Sequence, residues 1–373
     1  TEAAAPRGQQ QGQEKENQPI EYQGQVLDPD GKPVSGAKIY HIGGVQLAEG
    51  SAPGSEPQTT SDQEGYFEYS ISQPPRAKQF DERLRKFATV IAVADGFGMA
   101  AANIQEHEPG QPLQLRLAPD DLPVTGRIVD LQGQGIANVR IKFNGLKLPK
   151  VENGGVPAWR KALVARRDGL KTEREYFSLL FLPPQMTQRE TRTDQTGRFQ
   201  LSGFGQDRIV SVIIDGPTIE TQEINIITRL GVAEVSAPWY PNAPNLGTLH
   251  YHATASDIVA GPTRAVVGVV RDQKTGKPLS GFKVAGAPVG NPMHSVDTVT
   301  GAEGGFRLTG LPLGKQQPVT VSPPADQPYL EVQQRINLHP GDDPLAVDFK
   351  STRGVWVEGK VVHQQTGEPA GVT

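Results

Sequence analysis

The sequence predicts tandem antiparallel, Greek-key β-sandwich domains, with a helical insertion in the second domain. Three observations favour this all-β fold class. A segment of strand, glycine turn and strand recurs four times along the 373 residues. Many of the 42 glycines and 32 prolines occupy equivalent turns, bulges and edge-strand starts of these copies. The short strands also lack the long helical crossovers that parallel strands need.

Each copy of the repeat begins with a strand that leads into a tight turn. The four copies occupy residues 23–37, 125–139, 267–282 and 358–372. We expect the turn glycine to take a positive φ, and an aspartate at the turn entrance to accept a hydrogen bond from the backbone. A later position should also be left-handed, because it carries only residues that tolerate that region: Gly36, Asn138, Gly281 and Gly371. The repeat therefore preserves backbone geometry and not a reactive group.

A second shared segment follows in each complete copy. It consists of a hairpin turn ending in glycine and a strand whose aromatic residue should point into the core; these residues are Phe67, Phe199 and Phe306. Gly301 stands where the first two copies have Asp62 and Asp194. The turn is retained without the carboxylate, which argues against a shared metal or acid role.

These repeats divide the chain into predicted domains. We expect a disordered lead or linker, three sandwiches and the truncated start of a fourth, at residues 1–19, 20–119, 120–262, 263–350 and 351–373. Because the chain starts at Thr1 and stops within the fourth copy, we interpret it as a piece of a longer protein.

The second domain carries extra sequence between its two shared segments. We predict a helical insertion at about residues 155–183, packed on the second sandwich. Four apolar residues can share one helical face there, namely Trp159, Leu163, Leu170 and Phe177. Gly169 weakens the middle of that helix by about 1 kcal/mol.

Composition excludes several classes of function. The net charge of -4 is balanced and provides no field for attracting nucleic acid. The absence of cysteine excludes disulfides, thiolate metal sites and cysteine nucleophiles. The apolar runs are only a few residues long, so we expect no membrane insertion by this segment.

The repeat resembles a known family of domains. Its pattern, Gly-x-Val-x-Asp-x-x-Gly-x-Pro-Val-x-Gly-Ala followed by Asp-x-x-Gly-x-Phe, is similar to the carboxypeptidase regulatory-like domain. That domain is a transthyretin-like or prealbumin-like seven-stranded sandwich, related to carbohydrate-binding-like folds. The resemblance covers about residues 20–373 and extends to large planctomycete-type proteins with several such domains in series. It implies an accessory domain and brings no carboxypeptidase ligands.

One pair of histidines has metal-ligand spacing. His250 and His252 lie on one face of a predicted strand, and Tyr240 precedes them by ten positions. This arrangement is superficially similar to the tyrosine and histidine iron ligands of intradiol ring-cleavage dioxygenases, but the surrounding motif is missing. We therefore assign no metal, cofactor or catalytic residue, and interpret these three as strand or interdomain surface residues.

Four aromatic residues are candidate contacts for a ligand or partner. Trp159 and Tyr176 would anchor a partner-docking face beside the basic residues of the insertion. Trp239 and Tyr240 could stack on a sugar ring or a peptide, or else fill a domain junction. A carbohydrate role depends on the exposure of the latter two rings.

The function predicted from these observations is non-enzymatic. We expect an array that serves as a structural spacer or as a protein- or ligand-interaction module of a larger bacterial protein, located in the periplasm, on the cell surface or outside the cell. Expected partners are other domains of the same polypeptide, a cell-surface protein or a polysaccharide, and not nucleic acid. The alternatives are a weak carbohydrate-binding module and a metal-dependent dioxygenase-like enzyme.

Overall fold

The chain folds into three two-sheet β-sandwiches. The computed structural model describes residues 19–42, 56–71, 88–104, 111–150, 153–166, 168–180, 182, 189–242, 247–286, 295–357 and 359. Residues 1–18 of the predicted lead and most of the predicted fourth sandwich lie outside these residues, as does Gly371. The predicted all-β class, with sandwich domains and a helical insertion, is confirmed.

The first sandwich is made of two sheets. Its strands are β1 (Ile20–Leu27), β2 (Lys38–Ile42), β3 (Thr59–Thr60), β4 (Tyr66–Ile71), β5 (Thr89–Val93), β6 (Phe97–Gly98), β7 (Ala100–Asn103), β8 (Leu113–Arg116) and β9 (Ala118–Pro119). One sheet has the order β4-β1-β8 and the other β3-β2-β5-β7, while β6 pairs with β9. Alternating burial along β4 and β8 directs every second side chain into the core.

The second sandwich is larger and carries the helices. Its elements are β10 (Val124–Val129), β11 (Arg140–Pro149), α1 (Gly155–Arg166), α2 (Gly169–Tyr176), β12 (Phe177–Leu180), β13 (Glu190–Arg192), β14 (Arg198–Leu201), β15 (Ile209–Asp215), β16 (Gln222–Ile227), β17 (Val235–Pro238), β18 (Thr248–Ala253) and β19 (Ser256–Val259). One sheet is β14-β10-β19. The other is β12-β11-β15-β16-β18-β17, with β13 also paired to β11.

The third sandwich repeats the plan of the first. Its strands are β20 (Val266–Asp272), β21 (Lys283–Gly286), β22 (Val296–Val299), β23 (Gly305–Leu308), β24 (Gly314–Ser322), β25 (Val332–Leu338), β26 (Leu345–Ala346) and β27 (Phe349–Ser351). The sheets are β22-β21-β24-β25 and β23-β20-β26, with β27 continuing the pairing along β20. A bridge between Tyr329 and Arg353 extends this domain's pairing beyond residue 350.

Strand pairing is antiparallel except at a few places, one of which recurs in every sandwich. The first strand of each domain pairs in parallel with a strand near the domain's C-terminal end, as β1 with β8, β10 with β19, and β20 with β26 and β27. The pairing of β16 with β18 in the second domain is also parallel. Each first strand therefore lies in the centre of its sheet, between an antiparallel and a parallel neighbour.

The strand pairing that closes the third domain is interrupted. The alternating pattern over residues 345–349 predicts one strand, but β26 and β27 are separated by Val347 and Asp348. At the interruption, the backbone N–H of Val269 donates to the Asp348 side chain, at 2.8 Å from Oδ1, and not to a carbonyl of the neighbouring strand. The carbonyl oxygen of Val347 would lie 1.9 Å from a Cβ on Gly268, so only glycine allows this approach.

The predicted backbone geometry of the repeat is confirmed. Gly36, Asn138 and Gly281 have φ of 73°, 61° and 79°. The turn glycines also have positive φ, as Gly31, Gly133 and Gly276 show.

The turn aspartates accept backbone hydrogen bonds; Asp130 Oδ1, for example, accepts from Gln132 N at 2.9 Å. The chain segment that is most similar between copies thus encodes a turn and a kink.

A glycine faces the core phenylalanine in every sandwich. The opposed pairs across the antiparallel ladder are Gly24 and Phe67, Gly126 and Phe199, and Gly268 and Phe306. All three rings are buried, as predicted. A Cβ on Gly126 would lie 2.8 Å from Phe199 Cε1, so the missing side chain makes room for the ring.

A buried hydroxyl connects the second strand to the turn before it in every sandwich. Thr300 Oγ1 accepts from Phe282 N at 2.9 Å and donates to the carbonyl of Leu279 at 2.7 Å. Thr193 and Ser61 make the equivalent pair of bonds. Each hydroxyl satisfies two backbone groups that would otherwise be buried without partners.

The predicted helical insertion consists of two helices and a strand. The expected single helical face does not form, because α1 ends at Arg166 and α2 begins at Gly169 with Asp168 as its N-cap. The Asp168 side chain accepts from Lys171 N at 3.2 Å. Phe177 lies in strand β12, yet its ring still meets Trp159 edge-on at 5.3 Å. Trp159 and Phe177 therefore come into contact through tertiary packing, and not because they share one helical face.

Two compact units contain these sandwiches. The first comprises residues 1–214 and 222–260, and the second residues 215–221 and 261–373. The predicted boundaries of the three domains stay a prediction. Separate cores nevertheless lie in the first sandwich, in the third sandwich, and between the helical insertion and its sheet.

Candidate functional site

The metal-ligand candidates lie in and near strand β18. His250 and His252 share the face opposite to Tyr251, which is buried. His252 Nδ1 lies 3.2 Å from Glu234 Oε1. Burial, followed by the neighbouring His252, lowers the pKa of His250, while Glu234 opposes this shift. Among the residues that the structure describes, no group of three or more histidine, aspartate or glutamate side chains is placed to hold a metal ion.

The proposed docking role of Trp159 is wrong. Trp159 is 0% exposed, and its ring packs edge-on against Tyr251 at 4.8 Å. Helix α1 turns this residue toward the sheet, where it joins a core with Leu163 and Phe177. Tyr176 is partly buried and packs on the same core. The aromatic residues of the insertion therefore attach it to its own sheet and do not form a partner-docking face.

The adjacent residues Trp239 and Tyr240 differ in exposure: the first is buried and the second is exposed. Trp239 is only 9% exposed and belongs to the core beneath the helices, so it cannot stack on a sugar. Tyr240 is 46% exposed and is available to a partner. The basis for carbohydrate stacking on two adjacent rings is thereby lost.

A buried polar cluster lies beneath the helical insertion. Lys147 is 7% exposed. Its Nζ donates to Glu173 Oε2 at 2.8 Å and to Asn225 Oδ1 at 3.0 Å. Ser211 Oγ donates to the same Asn225 oxygen at 2.6 Å, and Tyr251 OH donates to Glu173 Oε2 at 2.5 Å. We refer to these five residues as the lysine cluster.

Neighbouring strands and helix α2 assemble the lysine cluster. Lys147 lies in the C-terminal half of β11, and this half pairs with β12 of the insertion. Ser211 and Asn225 are direct cross-strand partners on β15 and β16. Because β15 separates β11 from β16, the lysine reaches over the small Ser211 side chain to the asparagine. Helix α2 supplies Glu173 from above the sheet.

The lysine cluster is shielded from water and contains a buried ion pair. Tyr251 is 1% exposed. Burial, and secondarily the adjacent Glu173 carboxylate, raise its pKa well above the ordinary 10.0, so it remains a neutral donor. The Lys147 ammonium also lies 5.9 Å from the Tyr251 ring centre. Removal of one member of such a buried ion pair typically costs about 3–5 kcal/mol.

Sequence reasoning missed the lysine cluster. Its sequence signal is weak: Lys147 stands between two leucines and Asn225 between two isoleucines. A lysine or asparagine in such a run indicates a paired buried group, because these residues are rarely buried alone. The identity of the partner depends on a helix that begins more than twenty residues later.

An open groove of about 480 Å³ lies beside strands β13 and β14. Arg192, Arg198 and Asp194 are among its lining residues. The Asp194 carboxylate accepts from Arg198 N at 2.9 Å and from Thr196 N and Oγ1 at 2.8 Å. These bonds, led by that from Arg198 N, lower its pKa. The carboxylate is thus engaged in the hairpin turn, and the groove offers a polar binding surface without a free acid.

Comparisons with known proteins add little at this level of similarity. No family model matches the chain, and no curated protein does. Among solved structures, the Bacillus anthracis TIE protein is 10% identical, with 90% of this chain and 51% of that chain covered and a TM-score of 0.22. A streptococcal ancillary pilin is 12% identical (89% and 99% covered, TM-score 0.22), and the minor pilin GBS52 of Streptococcus agalactiae is 14% identical (64% and 99% covered, TM-score 0.23).

The chain spans about half the length of the TIE protein. TM-scores near 0.2 are too low to assign a shared fold or function, so the β-sandwich assignment depends on this chain's own strand pairing. The resemblance to carboxypeptidase regulatory-like domains stays a prediction. No helix among the described residues is long and apolar enough to cross a membrane.

Proposed function

We propose that this chain is a non-enzymatic array of β-sandwich domains, acting as a structural spacer or interaction module of a larger bacterial protein outside the cytoplasm. The observation that carries the proposal is the recurrence of the same internal supports in all three sandwiches. The glycine opposite phenylalanine, the left-handed kink and the hydroxyl bridge all hold backbone in place. What the copies share is therefore architecture.

The junction between the first two sandwiches supports a role for the array as one assembly. Asp120, in the segment between them, accepts from Gly203 N at 2.7 Å and from Gly205 N at 3.3 Å. A Cβ on Gly98 would lie 2.4 Å from Gly205 Cα, so the two domains meet backbone to backbone. These contacts support the proposal that neighbouring domains of the same polypeptide are partners of each other.

A survey of binding tests the interaction and spacer roles. The purified full chain is measured against a panel of glycans, peptidoglycan fragments and surface proteins, alongside a variant with Arg192→Glu and Arg198→Glu in the groove. Saturable binding that the groove variant loses supports the interaction role, and no binding throughout supports the spacer role.

The enzymatic alternative is tested by metal analysis. Stoichiometric iron or zinc in the reconstituted chain, lost together with catechol cleavage in His250→Ala and His252→Ala, would overturn the non-enzymatic proposal. Substitution of the partly exposed Tyr22 of the first sandwich by phenylalanine serves as a control away from β18.

A further inference from the structure

We propose that the second sandwich cross-links itself through an isopeptide bond between Lys147 Nζ and Asn225 Cγ, with Glu173 as the proton carrier. This modification does not depend on the proposed function. It would join strands β11 and β16 covalently across β15.

The side chains that would react are already hydrogen-bonded to each other. Lys147 Nζ lies 3.0 Å from Asn225 Oδ1, which places the amine beside the carboxamide carbon. The carboxylate of Glu173 is 2.8 Å from the same nitrogen. Contact at this distance between an amine and an acyl group supplies the effective concentration that an otherwise slow bimolecular reaction lacks. The three residues come from β11, β16 and α2, so only the folded domain brings them together.

The surroundings match the charge changes of an acyl transfer. Negative charge would develop on Asn225 Oδ1, and Ser211 Oγ already donates to that oxygen at 2.6 Å. Tyr251 OH donates to Glu173 Oε2 and fixes the carboxylate beside the lysine. Burial of the cluster excludes the water that would otherwise compete as a nucleophile.

The reaction balances without an oxidant or a cofactor. Glu173 takes one proton from the Lys147 ammonium, and the free amine attacks Asn225 Cγ while the carbonyl electron pair moves to Oδ1. Glu173 then gives its proton to Nδ2 and takes the second proton from the attacking nitrogen. The Cγ–Nδ2 bond breaks, ammonia leaves, and the carbonyl reforms. Glu173 finishes as the neutral acid beside the new amide.

Mass spectrometry of the full chain tests the proposal. The intact folded protein is expected to be lighter than its sequence by one ammonia. Trypsin should then release a branched peptide in which residues 143–150 are joined to residues 209–229, because the linked Lys147 is no longer a cleavage site. The branched peptide is the decisive readout, since succinimide formation at Asn144–Gly145 would lose the same mass.

Three variants assign the roles. Lys147→Met and Glu173→Gln should each restore the full sequence mass and abolish the branched peptide, whereas Lys142→Arg, an exposed position on the same strand, should retain both. Circular dichroism and the thermal transition confirm that Glu173→Gln is folded. A folded natural chain of full mass, with residues 143–147 and 209–229 recovered as linear peptides, overturns the proposal. Ammonia loss confined to a linear peptide overturns it equally, and a cross-link that persists in Glu173→Gln overturns the role of the glutamate.

Discussion

Substitution of Thr300 by valine should loosen the third sandwich. Valine keeps the branched shape of threonine but replaces the hydroxyl by a methyl group. The amide of Phe282 then loses its acceptor at 2.9 Å, and the carbonyl of Leu279 loses its donor at 2.7 Å. Both groups lie where Thr300 is only 3% exposed, so water cannot readily replace the hydroxyl.

The size of this effect follows from the two unpaired groups. Each costs about 1–3 kcal/mol when left unsatisfied in the interior, and the added methyl regains up to about 1 kcal/mol through burial. The free energy of unfolding of the third sandwich should therefore fall by about 3 kcal/mol. At 1.36 kcal/mol for each factor of ten, amide exchange in that sandwich should accelerate by about 150-fold.

Hydrogen exchange followed by mass spectrometry suits this test, because it reports on each sandwich separately within the full chain. Peptides from β20, β21 and β24 should exchange faster, while those from β1 and β5 of the first sandwich should not change. Thr298→Val, a partly exposed position on β22, is the matched control. If Thr300→Val and Thr298→Val show the same protection within about 0.5 kcal/mol, the hydroxyl bridge contributes no stability and the reasoning fails.

Three further substitutions test other features of the repeat. Gly126→Ala should cost about 1–3 kcal/mol in urea unfolding, because its Cβ would force Phe199 to move; Gly145→Ala, where the nearest atom lies at 4.0 Å, is the control. Asn138→Val should lower stability by about 1–2 kcal/mol, since φ of 61° disfavours a β-branched residue, whereas Asn138→Gly should be nearly neutral. Asp272→Asn should destabilise the third sandwich in calorimetry at neutral pH, and this difference should vanish as the pH falls toward 2.

The sign of the pH prediction follows from the folded-state pKa. Hydrogen bonds from Thr275 N and from Tyr329 OH lower the pKa of Asp272 from 3.8 to about 2. A lowered pKa contributes stability that is present above 3.8 and is lost as the pH falls through about 2. A constant difference between natural chain and variant down to that pH would contradict this account.

Equal losses in Gly126→Ala and Gly145→Ala would show that the phenylalanine does not need the vacant position. Equal stability of the valine and glycine variants at position 138 would show that the left-handed kink carries no strain.

The features that sequence predicted are local in the chain. The positive φ of Gly36, the turn around Asp130 and the burial of Phe199 each depend on a few adjacent residues and on strand alternation. Local geometry is repeated because the same few residues impose it in every copy.

The features that sequence missed depend on distant partners. Trp159 is predicted to be an exposed docking residue, but it is buried. The ring that covers it belongs to Tyr251, which is far away in the sequence. Lys147 and Asn225 are 78 positions apart in the sequence. They meet because β11 and β16 flank β15 in the same sheet, so the lysine side chain can reach across one strand. The parallel pairing of β1 with β8 likewise leaves no periodic signal, since both strands alternate as antiparallel strands do.

That parallel pairing determines how a pulling force acts on each domain. The first strand of a sandwich lies beside a strand near the domain's C-terminal end, and the two run in the same direction, so tension applied through the chain pulls them past each other lengthwise. All of their shared hydrogen bonds are then loaded together in shear, instead of opening one by one as in a peeled hairpin. Each domain should resist extension more strongly than its equilibrium stability suggests, since forced rupture is governed by the unfolding rate.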